Sequence, residues 1–289
     1  MPIVTLIAAP GGLETAMVEA LRNAWGGGDA RWLARGEAAE FAVDTVPENR
    51  WAVWEDLQAA GVDLAVQAEA GRRKRMLIAD MDSTIIGVEC IDELADFAGV
   101  KREVAAITEA AMRGELDFEA ALVARVALLE GLPERVLAEC YAERVRLNPG
   151  AAVLVRTMRA AGAETALVSG GFDAFSARVA EEAGFARHRA NRLIVRDGRL
   201  TGEVARPILG RAAKLAALRE IADAAGIAEG DVLAVGDGAN DLDMVMAAGL
   251  GVAYHAKAAL AERADARLAH SDLTALLALQ GIPAVEWRD

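Results

Sequence analysis

Three short apolar runs, far apart in the chain, each stop abruptly at residues that carry charge or have no side chain. Met76-Leu77-Ile78-Ala79 ends at Asp80-Met81-Asp82-Ser83-Thr84, Ala166-Leu167-Val168 at Ser169-Gly170-Gly171, and Val232-Leu233-Ala234-Val235 at Gly236-Asp237-Gly238-Ala239-Asn240-Asp241. Runs of this length and content read as buried strands. Longer segments with helical spacing lie between them. Strands alternating with helices imply a parallel, doubly wound α/β sheet. In such a sheet ligands bind beyond the carboxyl ends of the strands, which is where all three polar ends fall. Side chains at i and i+2 of an extended chain share a face, so Asp80 and Asp82 reach one substrate if the chain stays extended past Asp80.

With 289 residues the chain is long enough for two domains and a sizeable core. Hydrophobic residues make up 54% and aromatics only 4%, which points to a helix-rich protein with an aliphatic core. A net charge of -13 argues against nucleic acid and anionic membrane as partners. It leaves a small anionic substrate open, because a bound metal and one Lys invert the local field. No apolar run approaches the length of a membrane span, and the N-terminus lacks the features of a signal peptide. Cys90 and Cys140 form no C-x-x-C pair, which fits a reduced compartment and a cytoplasmic location. His188, His255 and His270 match no ligand or triad spacing.

Residues 1–74 read as a separate small α+β domain. Strands are expected over 3–8, 31–35, 41–46 and 62–68, and helices over 13–25 and 50–60, with Gly26 and Gly61 as stops. The resulting βαββαβ order is ferredoxin-like. Gly71-Arg72-Arg73-Lys74-Arg75 reads as a linker and solvated hinge. The second domain, 75–289, carries an all-helical insertion over about 87–148, with helices expected over 91–98, 104–112, 118–129 and 133–145. An insertion between the first strand and its crossover helix looks like a cap that excludes water and selects the leaving group. Asp197-Gly198, flanked by 191–195 and 200–204, is a hairpin signal. Lys214 falls on a helix expected over 211–225.

The order D-x-D-x-T, S-G-G, K, G-D-G-x-x-D resembles the haloacid dehalogenase-like phosphatase superfamily. The resemblance implies that Asp80 is a nucleophile that forms an aspartyl-phosphate and that Asp82 is the general acid, then base. It implies Mg²⁺ held by the Asp80 carboxylate, the Asp82 backbone carbonyl and the Asp237 carboxylate, with Asp241 as supporting acid. Ser169, the Gly170 N–H, Lys214 and Asn240 would face the phosphate. Gly236-x-Gly238 also mimics a nucleotide-binding loop, but Asp241 stands where a third glycine would be.

Asp80 to Thr84 with Glu89, Asp92 and Glu93 resembles the start of phosphoserine phosphatases. So do Ala111 to Phe118, Arg125 to Leu129, Asn191-Arg192-Leu193 and Gly236 to Asp243. That resemblance implies that Glu89 binds the substrate ammonium, Arg125 its carboxylate, and that Met112 and Phe118 line the pocket. The reaction implied is hydrolysis of O-phospho-L-serine to L-serine and phosphate, the last step of serine biosynthesis. A relative acting on another small phosphate monoester such as phosphohomoserine, or passing the phosphoryl group to an alcohol, is the alternative. A metabolite-binding regulator with a silent phosphatase fold would lack a catalytic residue, and no motif position is missing. Residues 1–74 resemble the ACT-like domain that precedes some of these phosphatases. Amino-acid sensing, self-association into a homodimer and plain packing all remain open for that domain.

Overall fold

The computed structural model describes residues 1–112 and 115–289. The chain begins with β1 (Pro2–Ala8), α1 (Thr15–Ala24), β2 (Arg31–Ala34), β3 (Ala38–Ala42), α2 (Arg50–Gln58) and β4 (Val62–Ala68). These four strands form an antiparallel sheet in the order β2-β3-β1-β4, the ferredoxin-like arrangement that the βαββαβ order predicts. β1 is apolar on both faces for a structural reason. Val4 and Leu6 pack with Val18 and Phe41 under the two helices. Ile7, with Ala38 and Ala65, faces the other way, into the core shared with the rest of the chain.

Then follow β5 (Met76–Ala79), α3 (Cys90–Ala98), α4 (Lys101–Met112), α5 (Phe118–Ala127), α6 (Arg135–Arg144) and α7 (Ala151–Ala160). β6 (Glu164–Phe172), α8 (Asp173–Ala183), β7 (Arg187–Asn191), β8 (Leu193–Arg196), β9 (Arg199–Val204) and α9 (Arg211–Ala225) come next. The chain closes through β10 (Val232–Gly236), α10 (Leu242–Ala247), β11 (Leu250–Tyr254), α11 (Ala258–Ala261), β12 (Ala266–Leu268) and α12 (Ala275–Leu279). Six of these strands make a parallel sheet in the order β12-β11-β10-β5-β6-β7. β5 sits between β10 and β6, fully buried. Its alternate residues serve opposite faces, as a strand's period of two requires. Leu77 and Ala79 pack with α7 and α8 residues, and Met76 and Ile78 pack with α9 and α10 residues.

α3 to α6 form the cap. The chain leaves and re-enters the sheet domain at one point, where Ile86 and Leu147 pair and Asn148 Nδ2 donates to Thr84 O at 2.8 Å. A two-stranded hairpin of β8 and β9 turns at Asp197 (φ 53°) and Gly198 (φ 70°). It is bonded to the cap: Gly131 N donates to Leu200 O at 2.8 Å and Glu134 N to Gly198 O at 2.9 Å.

Two expectations are corrected. Asn191 does not open the hairpin; it ends β7, an edge strand of the parallel sheet. The polar run Arg187-His188-Arg189-Ala190-Asn191 escaped notice because an edge strand is half solvated and needs no apolar pattern. Gly71 to Arg75 is also not simply a solvated hinge. Arg72 is 8% exposed, its Nη2 lies 2.7 Å from Glu40 Oε2, and its Nε donates to Leu279 O at 3.2 Å. Asp63 on β4, fully buried, makes a second tie. It accepts from the backbone N–H groups of Ala269, His270 and Ser271 at 2.8, 3.1 and 3.0 Å, and from Ser271 Oγ at 2.7 Å. The antiparallel sheet is therefore joined to the C-terminal segment by buried polar contacts.

Candidate active site

The carboxyl ends of β5, β6 and β10 are neighbours in the sheet, so three polar loops from distant parts of the sequence converge. Asp80 and Asp82 both keep extended backbone angles (φ -69°, ψ 159° and φ -65°, ψ 137°), and the chain reverses at Ser83, whose φ is 55°. A non-glycine residue in that left-handed region is strained, and here the strain turns the chain just after both carboxylates have been delivered.

Asp80 is 3% exposed. Its Oδ1 accepts from Met81 N at 2.7 Å and faces Lys214 Nζ at 2.7 Å, while Oδ2, among the described residues, has only Asn240 Nδ2 at 3.5 Å. Lys214, on the first turn of α9, is fully buried, and its Nζ also donates to Asp241 Oδ1 at 2.6 Å. Asp241 Oδ2 accepts from Asp237 N and Gly238 N at 3.2 Å each. The Gly-Asp-Gly loop thus wraps the carboxyl of Asp241, and a Cβ on Gly236 would collide with that carboxyl. Asp82 Oδ1 accepts from Cys90 N at 3.1 Å, and its Oδ2 lies 3.5 Å from Ser169 Oγ. Ser169 Oγ accepts from Gly171 N at 2.8 Å.

Electrostatics follows from burial. Desolvation, then the charge of Glu89, raises the Asp82 carboxyl to about 7. Desolvation pushes Asp237 up to about 6, with Lys257 opposing. Asp80 lies well above its ordinary value, through burial first and the charge of Asp241 second, offset in part by Lys214. Burial works to lower Lys214, but Asp80 and Asp241 outweigh it and the net shift is upward. One buried ammonium therefore faces an excess of buried carboxylates. Asp80, Asp237 and Asp241 each offer an oxygen, and these oxygens lie within 4.8 Å of one another. An all-oxygen, anionic donor set suits a hard divalent cation, so the residues fit a metal ion.

The cap supplies the other wall. Phe118 opens α5, whose first turn is capped by Asp117 Oδ1 accepting from Ala120 N at 2.7 Å. The Phe118 ring lies over two glycines: a Cβ on Gly170 would stand 2.9 Å from it, and one on Gly210 3.1 Å. Glu89 Oε1 accepts from Ser83 Oγ at 2.7 Å. Arg125, part-buried, donates through Nε to Ala121 O at 3.2 Å. Burial lowers its pKa, while the charges of Asp92, Glu89 and Asp82 act on it in the opposite sense. The expectation for the Met112 side chain lies outside the described residues.

A family model for haloacid dehalogenase-like hydrolase matches residues 77–246. The chain belongs to the haloacid dehalogenase-like hydrolases.

Among these hydrolases it groups with the phosphoserine phosphatases. A phosphoserine phosphatase of Streptomyces coelicolor is 46% identical over 253 residues, which cover 86% of this chain and 62% of that protein. The chain thus spans under two thirds of that relative's length. The solved structure of a probable phosphoserine phosphatase from Vibrio cholerae, unliganded, is similar with a TM-score of 0.81 at 32% identity, over 99% of this chain and 88% of that one. A phospho-aspartyl intermediate analogue of a phosphoserine phosphatase matches with a TM-score of 0.66 at 42% identity, over 71% of this chain and 98% of that one.

Sequence reading assigned no role to several polar residues that line this site. Asn191, 2% exposed, donates through Nδ2 to Gly170 O at 2.9 Å and Leu209 O at 3.2 Å, and accepts from Leu209 N at 2.6 Å. It pins the Ser-Gly-Gly turn to the loop before α9. Cys90 supplies a backbone N–H to Asp82, and Ser83 a hydroxyl to Glu89. Lys257 Nζ lies 3.5 Å from Asp237 Oδ2. Asn191 and Ser83 lie in motif stretches, but the role of each of the four depends on a partner brought close only by folding.

Proposed function

We propose that this chain hydrolyses O-phospho-L-serine to L-serine and inorganic phosphate, with Mg²⁺, through a phosphoaspartate on Asp80. The observation that carries the reading is the pairing of two buried aspartates of opposite tasks. Asp80 has one oxygen held by Lys214 and Met81 N and the other, among the described residues, with only a long contact to Asn240. Asp82 has a carboxyl that titrates at about 7, where a group can both give and take a proton.

In the first step Asp80 Oδ2 attacks phosphorus and the bond from phosphorus to the serine oxygen breaks. Asp82 gives its proton to that oxygen, so L-serine leaves neutral at the hydroxyl. In the second step Asp82, now a carboxylate, takes a proton from water as the water oxygen attacks phosphorus. The bond to Asp80 breaks, freeing the carboxylate and inorganic phosphate. Lys214, the Ser169 hydroxyl and the Gly170 N–H stabilise the phosphoryl oxygens, and Asn240 orients the nucleophile. Asp80, Asp237 and the Asp82 backbone carbonyl would hold Mg²⁺, and Asp241 keeps Lys214 and the Gly-Asp-Gly loop in place. When bound, the ion supplies positive charge to the nucleophile and the phosphoryl oxygens.

Specificity rests on the cap. Glu89 is assigned to the ammonium and Arg125 to the carboxylate, whose planar fork matches a guanidinium. Phe118 closes the apolar side above Gly170. The phospho-aspartyl analogue of a phosphoserine phosphatase supports the nucleophile assignment.

The test is phosphate release from O-phospho-L-serine with Mg²⁺, with excess EDTA, and for Asp80→Asn. Metal-dependent turnover that the substitution lowers by about 10³-fold or more is expected. Turnover of other phosphomonoesters in place of phosphoserine would discard the assignments of Glu89 and Arg125. Undiminished turnover by Asp80→Asn would discard the phosphoaspartate.

A further inference from the structure

Lys257 has no part in the reaction as described, yet the fold directs it at the metal side of the site. It follows β11 and precedes α11. Its backbone N–H donates to Asp237 O at 2.9 Å, and its own carbonyl accepts from Leu260 N and Ala261 N at 3.0 Å. The approach to it is held as well. His255 adopts a left-handed φ of 44°, donates its N–H to Leu268 O at 2.8 Å and its Nε2–H to Ser271 O at 3.2 Å. The side chain then runs back along the Gly-Asp-Gly loop. Its Nζ stands 3.5 Å from Asp237 Oδ2 and 4.0 Å from where a Cβ on Gly238 would be. The other end is open: the Lys257 side chain is 66% exposed, while that of Asp237 is 10% exposed.

Two cations therefore address this carboxylate cluster in different ways. Lys214 is enclosed between Asp80 and Asp241 and has nowhere to go. Lys257 reaches Asp237 from solvent on a flexible four-carbon stem, at a distance longer than a hydrogen bond. An exposed, loosely seated ammonium is cheap to displace, and a dication on the same carboxylate repels it. A phosphate dianion arriving at the same mouth attracts it.

We propose that Lys257 changes partner during the cycle, pairing with Asp237 when the divalent cation is absent and turning to the phosphate dianion when the cation is bound. This rests on the metal-dependent phosphomonoesterase reading above. Lys257 is on this view a counter-ion that keeps the emptied loop ordered, competes weakly with the metal, and holds inorganic phosphate at the exit. Its removal has opposite effects on the two ligands, a pattern that loss of a merely structural contact does not produce.

The test is titration calorimetry on the full chain at pH 8, first with Mg²⁺ alone, then with inorganic phosphate at saturating Mg²⁺, for wild type, Lys257→Met and Lys257→Arg. For Lys257→Met, Mg²⁺ is expected to bind roughly 3- to 5-fold more tightly and phosphate several-fold more weakly, the scale of a partly exposed ion pair. Lys257→Arg is expected to stay near wild type on both. Thermal unfolding of each variant checks that the fold is retained. Mg²⁺ affinity unchanged or weakened in Lys257→Met, or phosphate affinity unchanged, overturns the inference while the proposed function stands. Wild type that binds neither Mg²⁺ nor phosphate overturns both.

Discussion

Lys214 Nζ lies 2.7 Å from Asp80 Oδ1, and the two side chains are 1% and 4% exposed. Burying an ammonium and a carboxylate costs several kcal/mol each before their attraction is counted, so this contact is no surface accident. Lys214 also holds Asp241, and Asp241 holds the loop of Asp237. Asp80, Lys214 and the loop of Asp237 are thereby tied together through Asp241. Among the described residues, Asp80, Asp82, Asp237 and Asp241 are buried around the enclosed Lys214 ammonium, an excess of carboxylate that protonation or a bound cation would offset.

Asp82→Asn keeps the shape and removes the carboxyl assigned to proton transfer. Its kcat for phosphoserine is expected to fall by about 10²- to 10⁴-fold, the range of general acid–base catalysis. p-Nitrophenyl phosphate, whose leaving group departs without a proton, should lose less in its phosphorylation step. Burst kinetics with both substrates measure this. Equal loss of the burst rate with both would show that Asp82 does not protonate the leaving group.

Arg125→Ala removes the guanidinium assigned to the substrate carboxylate. KM for phosphoserine is expected to rise by roughly 10- to 100-fold, as for loss of a charge-assisted bidentate contact. KM for p-nitrophenyl phosphate, which has no carboxylate, should stay within a few-fold. If the two substrates suffer alike, Arg125 supports the cap and not the substrate.

Metal-free protein should lose stability as pH rises. Asp82 and Asp237 go from an ordinary value of 3.8 to about 7 and about 6 when folded. A carboxyl raised in the folded state contributes stability that is fully present below its unfolded value and lost as pH climbs through the folded one. In EDTA the Tm is therefore expected to drop between pH 5 and pH 8. Added Mg²⁺ should restore more at pH 8, where it does not compete with protons. Scanning calorimetry at several pH values decides it; a Tm that rises over this interval contradicts the burial argument.

Glu40→Ala leaves Arg72, 8% exposed, without its carboxylate at the junction of the two sheets. Uncovering one member of a buried pair costs about 3–5 kcal/mol. Urea unfolding should show that loss, with Arg72→Met/Glu40→Ala recovering part of it. A loss under 1 kcal/mol would mean that the contact is solvated in solution.

Much of the fold is legible in the sequence because its signals are local. The apolar runs before Asp80, Ser169 and Gly236 announce strands, and Asp197-Gly198 announces a turn, since each depends on a few adjacent residues. Asp80, Asp82, Ser169, Asp237 and Asp241 could be picked out because they stand where apolar runs end, and Lys214 because it falls between two of those runs in the motif order. β7 was missed for the converse reason: an edge strand with charged residues has no local mark.

What the sequence alone determined, then, is where strands stop and which side chains stand at their ends. The tertiary structure decided how each charge is used. Lys214 could have been a surface lysine on an amphipathic helix; it is fully buried because α9 packs on β6 and presents it to Asp80 and Asp241. Arg72 reads as part of a solvated hinge and is instead enclosed by Glu40 and Leu279, and Asp63 reads as a polar strand residue and gathers the N–H groups of residues 269–271. The physical reason is the same throughout. A buried charge is tolerated only beside partners that satisfy it, and those partners come from segments that only the folded chain brings together.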